Sequence, residues 1–325
     1  MESRPAPGAK VARRRVDGVV LLDKPLGMSS NGALQHVKRA YRALKAGHTG
    51  TLDPLATGLL PICLGEATKF SQTLLDAPKV YRTELTLGTT TETGDAEGQV
   101  LLTRPVIVGR SDIDRVLTSF RGEIMQVPHR YSAIKRAGRA LYDYARAGED
   151  VEVAARPVTI SELTVDSWDP PVLALLVRCS KGTYIRSLAQ DIGDALGCGA
   201  HVASLRRLAT GAFDITGAID LARLQALSEA GRDAALVPLT ALVAHLQRIS
   251  LPADEAMKFR QGIAVTARGR SDCPQDSASA SLLAVYACAQ SLVEPTEFIG
   301  VARMENREGR WLIVPARLLA TARPD

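Results

Sequence analysis

No window of the 325-residue chain approaches the run of about 20 apolar residues that a helix needs to cross a bilayer. Five cysteines, Cys63, Cys179, Cys198, Cys273 and Cys288, lie far apart without a C-x-x-C pair, which argues against a zinc site and against a disulfide framework. They read as reduced thiols. A G-x-x-x-x-G-K-[ST] phosphate loop, a strand-linked G-x-G-x-x-G turn and a cluster with metal-ligand spacing are also missing, so the sequence carries no signal for a nucleotide cofactor or a metal site. No apolar stretch follows Arg13-Arg14-Arg15. That argues against a secretory leader and for a cytoplasmic protein with a loose basic arm over 1–16.

What is present is enough for a large domain with a real core: 46% of the residues are hydrophobic. Net charge is only +5, yet residues 1–50 hold ten Lys or Arg against three acids. A solvated basic tail and an electrostatic footprint for phosphates both fit this excess. The cluster Lys38, Arg39, Arg42 and Lys45 says more. It lies on a segment from Asn31 to Leu44, after Ser29 or Ser30 as N-cap, in which Leu34, Val37, Tyr41 and Leu44 recur at helical spacing. One face packs and the other is basic.

The chain is organised around Gly47-His48-Thr49-Gly50-Thr51-Leu52-Asp53-Pro54-Leu55-Ala56-Thr57-Gly58. Three glycines and a proline in twelve residues exclude a regular helix or strand, so a shaped loop is expected. Its one carboxylate, Asp53, precedes a proline and is therefore presented from extended, stiffened backbone. Asp53 reads either as an Asx-type turn residue or as a catalytic carboxylate. Leu59 to Leu64 follows as a short buried strand, with a helix over Glu66 to Leu75 that would carry Lys69 near the loop.

Other segments offer further chemistry. Lys79 to Leu87 alternates like a half-buried strand with Tyr81 on its more apolar face. Gly88 to Gly98 reads as a connecting loop. From Gln126 to Arg146, Arg130, Lys135, Arg136 and Arg139 interleave with Tyr131, Tyr142 and Tyr144, as suits a surface for phosphates and unpaired bases. Val172 to Cys179 is a near-continuous apolar strand, and Thr183 to Leu196 a helix whose first turn holds Tyr184 and Arg186. A cation at a helix N-terminus opposes the macrodipole, so Arg186 calls for a carboxylate partner. Arg206 and Arg207 read equally as phosphate ligands or as clamps at the core's edge.

The string from Gly47 to Pro61 resembles the signature of the bacterial tRNA pseudouridine-55 synthases, the TruB family. Asp23-Lys24-Pro25, Lys79-Val80-Tyr81, Tyr131-Ser132-Ala133-Ile134-Lys135, Cys179 to Arg186 and Ser204 to Leu208 resemble further motifs of that family, and the likeness covers about residues 17–247. It implies isomerisation of one uridine in the tRNA T loop, without a cofactor. Asp53 would be the nucleophile, acting at ribose C1′, at uracil C6 or through a glycal, and Arg186 its ion-pair partner that keeps it ionised. Tyr81 would stack on the flipped base and help remove the C5 proton. His48 would fill the space the extruded nucleotide leaves, Leu205 would wall the uracil pocket, and Lys24 would shape the cleft wall. Lys69, Lys135 and Tyr184 would complete the substrate contacts.

The resemblance also implies an α+β fold: a mixed, mostly antiparallel sheet with flanking helices over 17–247, then a small β-rich, PUA-like RNA-binding domain over 248–325. Strand and helix signals without regular βαβ spacing agree. From Ile249 onward acids and bases balance at nine each, so composition gives no support for strong phosphate binding there. The longer N-terminal arm and the low-complexity stretch Thr266 to Ser281 depart from the family pattern. A monomer without membrane or obligate protein partner is expected. Two competing readings are a non-catalytic RNA-binding or RNA-folding module, and a metal-independent RNA-cleaving enzyme using His48 with Asp53.

Overall fold

The computed structural model describes residues 12–132, 134–267, 282–288 and 295–320. Most of the stretch Thr266 to Ser281, including Cys273, lies outside the described residues, as does the arm before residue 12. Of the arm expected to be loose, residues 12–16 are held. Arg14 bonds the Tyr41 carbonyl and pairs with Asp233, and Val16 is buried.

The core of the fold is a ten-stranded sheet. Its main path runs Ile219–Asp220, Gly18–Lys24, Ala56–Leu64, Ala200–Thr210, Lys79–Leu87, Val172–Cys179, Arg156–Asp169 and Gly122–Gln126. Two neighbour pairs along that path are parallel, Gly18–Lys24 with Ile219–Asp220 and Ala56–Leu64 with Ala200–Thr210, and the others are antiparallel. The sheet is mixed and mostly antiparallel, as expected. Residues Gln247–Leu251, Val265–Thr266, Leu282–Cys288, Pro295–Arg307 and Arg310–Leu318 form a second, five-stranded sheet of PUA-like character.

Helices cover the large sheet because their apolar stripes need a partner. Ser30–Ala40, capped by the Ser29 hydroxyl, lays Ala33, Leu34 and Val37 against Val20, Leu22, Leu60 and Ile62. Ile185–Ala195 packs Leu188, Ala189 and Ile192 with Leu173, Leu175 and Val177, beside Ile113 and Leu117 of Arg110–Ser119. Each fully buried Leu or Ile contributes about 1.5–3 kcal/mol. Tyr81 and Leu205 touch both of these clusters. They stand where the two halves of the core meet.

Three local expectations are refined. The segment after Leu64 starts as a 3-10 helix, Gly65–Phe70, before the α-helix Ser71–Asp76. Leu44 lies beyond the first helix and is exposed, because that helix ends at Ala40 and Arg42 takes a positive φ. Within the expected loop Gly88 to Gly98, Thr89–Thr91 forms a strand that pairs with Val100–Thr103. The second sheet shares a cluster with the first, in which Phe298 meets Phe70 edge-on at 5.3 Å and Tyr286 at 5.4 Å.

The four described cysteines are all free and buried. Burial pushes the Cys63 thiol up to about 12 and Cys179 up to about 11. Both should resist a thiol reagent at pH 8 in the native protein and react on unfolding, measured by peptide mass spectrometry with and without denaturant.

Candidate active site

The loop around Asp53 is tied down residue by residue. The Thr49 N–H donates to the Pro61 carbonyl at 3.1 Å, and Leu52 exchanges two bonds with the buried Ser30 hydroxyl at 2.8 and 2.9 Å. The Ala56 N–H donates to the Asp53 carbonyl at 3.1 Å. Lys24, fully buried, points its ammonium at the carbonyls of Pro25, Met28 and Pro54. It ties the Pro25 turn to the Asp53 loop without lining the cleft itself, and burial lowers it to about 8.

Asp53 and Arg186 meet as the sequence demanded: Nη2 of Arg186 lies 2.8 Å from Oδ2 of Asp53. The same guanidinium donates to the carbonyls of Tyr131 at 2.8 Å and Thr93 at 3.1 Å, and reaches Asp95 at 3.4 Å. Arg186 is thus clamped between two carboxylates and two carbonyls, and only 8% of its side chain is exposed. Its own helix is anchored beside it, because the Gln126 amide bonds the Tyr184 main chain in both directions and Ser187 donates to the Val127 carbonyl. His129, next to Tyr131, is pushed down to about 3 by burial and by Arg186 and Arg130, so it stays neutral.

Arg186 alone does not settle the charge state of Asp53. Burial in the cleft raises the carboxyl above its ordinary range, Arg186 pulls it down, and Asp95 raises it again; the net direction is upward. Arg186 favours the ionised form, and burial is the larger opposing push. The Asp53 side chain is still 41% exposed, open toward the cleft where a substrate would enter.

The cleft measures about 560 Å³. Asp53, Tyr81, Arg186, His48, Leu205 and Tyr184, six of the nine residues proposed from sequence, line it together. Tyr81 is raised by burial and retains its proton at rest. Burial and the charge of Arg207 hold His48 neutral, and its buried Nδ1 has no partner among the described residues. Lys69 is elsewhere: its ammonium bonds Glu66 at 2.7 Å and the Leu318 carbonyl at 3.0 Å, so it ties the 3-10 helix Gly65–Phe70 to the second sheet. Lys135 is exposed on the Lys135–Arg136 and Arg139–Ala140 hairpin, beside a separate recess with Glu152 and Arg156. The interleaved aromatics nearby carry their own cations, with Arg139 4.3 Å over Tyr144 and Arg146 5.4 Å over Tyr142.

Asp95 is the residue that sequence reasoning missed. It is 3% exposed, accepts from the Thr93 hydroxyl and the Glu97 N–H, and faces Arg186 from behind. Its only signal was an acid after Gly94 in a turn-rich run. Arg206 and Arg207 part company. Arg206 pairs with Asp23 at 2.6 Å on the surface, whereas Arg207 is buried and bonds the carbonyls of Leu59 and Gly50.

A carboxylate held by an arginine thus shares a cleft with an aromatic ring, and similarity to known proteins says what class of enzyme carries such a site. Residues 38–185 match the TruB family pseudouridylate synthase N-terminal domain, and residues 186–258 match the tRNA pseudouridylate synthase B C-terminal domain. The chain is 48% identical over 313 residues to tRNA pseudouridine synthase B of Methylobacillus flagellatus, covering 96% of this chain and 98% of that one. It is 51% identical over 315 residues to the protein of the same name from Cupriavidus taiwanensis, with 95% and 96% covered. Among solved structures, a crystal structure of a Cbf5-Nop10-Gar1 complex matches with a TM-score of 0.69 at 27% identity, over 93% of this chain and 84% of that one. The chain belongs to the TruB family of pseudouridylate synthases. It is an enzyme, an isomerase that makes pseudouridine.

Proposed function

We propose that the chain isomerises uridine 55 in the T loop of tRNA to pseudouridine, with Asp53 as the nucleophilic carboxylate. The observation that carries this is the 2.8 Å contact between Asp53 and Arg186 at the wall of a cleft shared with Tyr81 and Leu205. In the reaction the N1–C1′ bond breaks, the uracil turns and a C5–C1′ bond forms. The C5 proton leaves and N1 gains one. Atoms and electrons balance, so the chemistry calls for no cofactor.

A base inside a stem-loop reaches such a cleft only by leaving its stack, at a cost of a few kcal/mol. Stacking on the Tyr81 ring, packing against Leu205 and filling of the vacated space by His48 offset that cost. The neutral state of His48 suits a space-filling role. Arg186 orients Asp53, while the upward push on the carboxyl makes it a stronger base and nucleophile than an exposed aspartate.

The division of the chain follows the same reading, with a catalytic part over 17–247 and an RNA-binding part over 248–325. The start of the second sheet at Gln247 supports it. A monomer that acts on tRNA without an obligate protein partner belongs to the same reading. Arg39, exposed and without an ion-pair partner among the described residues, and its neighbour Lys38 on the first helix suit phosphate contact, and binding should weaken as salt rises.

The test uses a T stem-loop RNA labelled with tritium at C5 of its uridines. Enzyme should release one equivalent per RNA, and none from the same RNA with cytidine at position 55. Release that persists with the cytidine would point to another uridine. Absence of release from either RNA and from full tRNA, with binding intact, would favour a non-catalytic RNA-binding module.

A further inference from the structure

Arg207 is among the largest side chains buried without exposure to solvent, 1% exposed, yet no carboxylate among the described residues pairs with it. An unpaired buried guanidinium is expensive unless its donors are used and its charge has a purpose. Its Nε donates to the Leu59 carbonyl at 2.7 Å and its Nη2 to the Gly50 carbonyl at 3.0 Å. Gly50 precedes Asp53 in the loop and Leu59 follows it. One planar fork therefore grips the chain on both sides of the carboxylate.

The two glycines that bracket Asp53 have their explanation in this same residue. Gly50 sits at φ +84°, and a Cβ there would lie 3.2 Å from Nη1 of Arg207. Gly58 sits at φ +98°, and a Cβ there would meet the Arg207 carbonyl oxygen at 2.3 Å and its nitrogen at 2.8 Å. Side chain and main chain of Arg207 thus each press against one end of the loop. Across the sheet, Arg207 is also the register partner of Tyr81, so the two side chains stand side by side on one face, and its charge acts on the Tyr81 phenol. It lines the same cleft.

We propose that Arg207 is the positioning residue of the site, fixing both roots of the Asp53 loop and its distance from Tyr81 through one guanidinium fork. The inference rests on the isomerase reading above. A lysine at this position keeps the charge but offers no planar fork, so it can hold one root only. Misplacement of a reacting group by about 1 Å costs on the order of 100-fold in rate.

The experiment compares wild type, Arg207→Lys, Arg207→Met and Gly50→Ala in single-turnover tritium release from C5-labelled tRNA. It adds tRNA Kd by filter binding and thermal unfolding of each protein, with the assay run well below every Tm. Gly50→Ala leaves Arg207 in place but puts a methyl against its guanidinium, so it should reproduce the defect by a second route. The expected result is a rate lower by about 100-fold in Arg207→Lys and Gly50→Ala, and lower still in Arg207→Met, with Kd within about threefold of wild type. Three results would overturn the proposal: an unchanged rate in folded Arg207→Lys, a loss that appears only in Kd, or melting of both Arg207→Lys and Gly50→Ala below assay temperature, which would make Arg207 an ordinary core residue. Silence from the wild type itself would strike the proposed reaction rather than the role of Arg207.

Discussion

Asp53→Asn should abolish pseudouridine formation, with the rate down by about a thousandfold or more, while tRNA binding stays within a few-fold of wild type. The amide preserves the shape of the carboxylate and can still accept from Arg186, which keeps its bonds to Asp95, Thr93 and Tyr131. What it loses is nucleophilic oxygen. The stability of this variant carries a second sign. A carboxyl whose folded pKa is raised above its unfolded value binds its proton more tightly in the native state, so its ionisation at neutral pH opposes folding. Asp53→Asn should therefore melt no lower than wild type at pH 7, measured by calorimetry. A dead variant that is also unfolded would mean that Asp53 holds the loop together instead.

The second large effect concerns the charges flanking Asp53. Arg186→Gln removes the cation from between two carboxylates and leaves Asp95, buried to 3%, without its partner. The rate should fall by about 100-fold or more. Asp95→Asn should cost less, since Arg186 retains Asp53 and two carbonyls. The pH dependence separates the two. Activity requires ionised Asp53, so the rate falls as pH drops through its pKa, which lies above the ordinary carboxylate range. Loss of the Arg186 charge removes a downward pull and moves that acid limb to higher pH. Loss of the Asp95 charge removes an upward push and moves it to lower pH. Single-turnover rates across pH should show these opposite displacements; shifts in the same direction would mean that the two residues do not act through Asp53.

The parts of the site that were legible in the sequence are those whose local chemistry is unusual. A Gly-rich loop with one pre-proline aspartate, an arginine in the first turn of a helix and an alternating strand carrying Tyr81 each announce a constraint within a few residues. The sheet's mixed character came from the family resemblance, and strand and helix order by itself agreed only with an α+β class. Asp95 was not legible, because an acid beside Gly94 is ordinary turn chemistry until a helix some ninety positions away brings Arg186 against it. Lys69 misled for the converse reason. Its helical position predicts a place near the loop, but its ammonium is claimed by a carbonyl 249 residues further along the chain. The upward push on Asp53 escaped as well, since desolvation belongs to a cleft walled by several distant segments rather than to the loop itself.

The most direct test is a single-turnover experiment in which saturating enzyme meets tRNA carrying tritium at C5 of uridine 55, with wild type and Asp53→Asn compared at equal tRNA occupancy. Wild type should release the tritium stoichiometrically and leave the base attached to its ribose as pseudouridine, while Asp53→Asn binds the same tRNA and releases none. Release by Asp53→Asn at a rate near that of wild type would contradict the account, because the carboxylate clamped by Arg186 would then have no part in the chemistry.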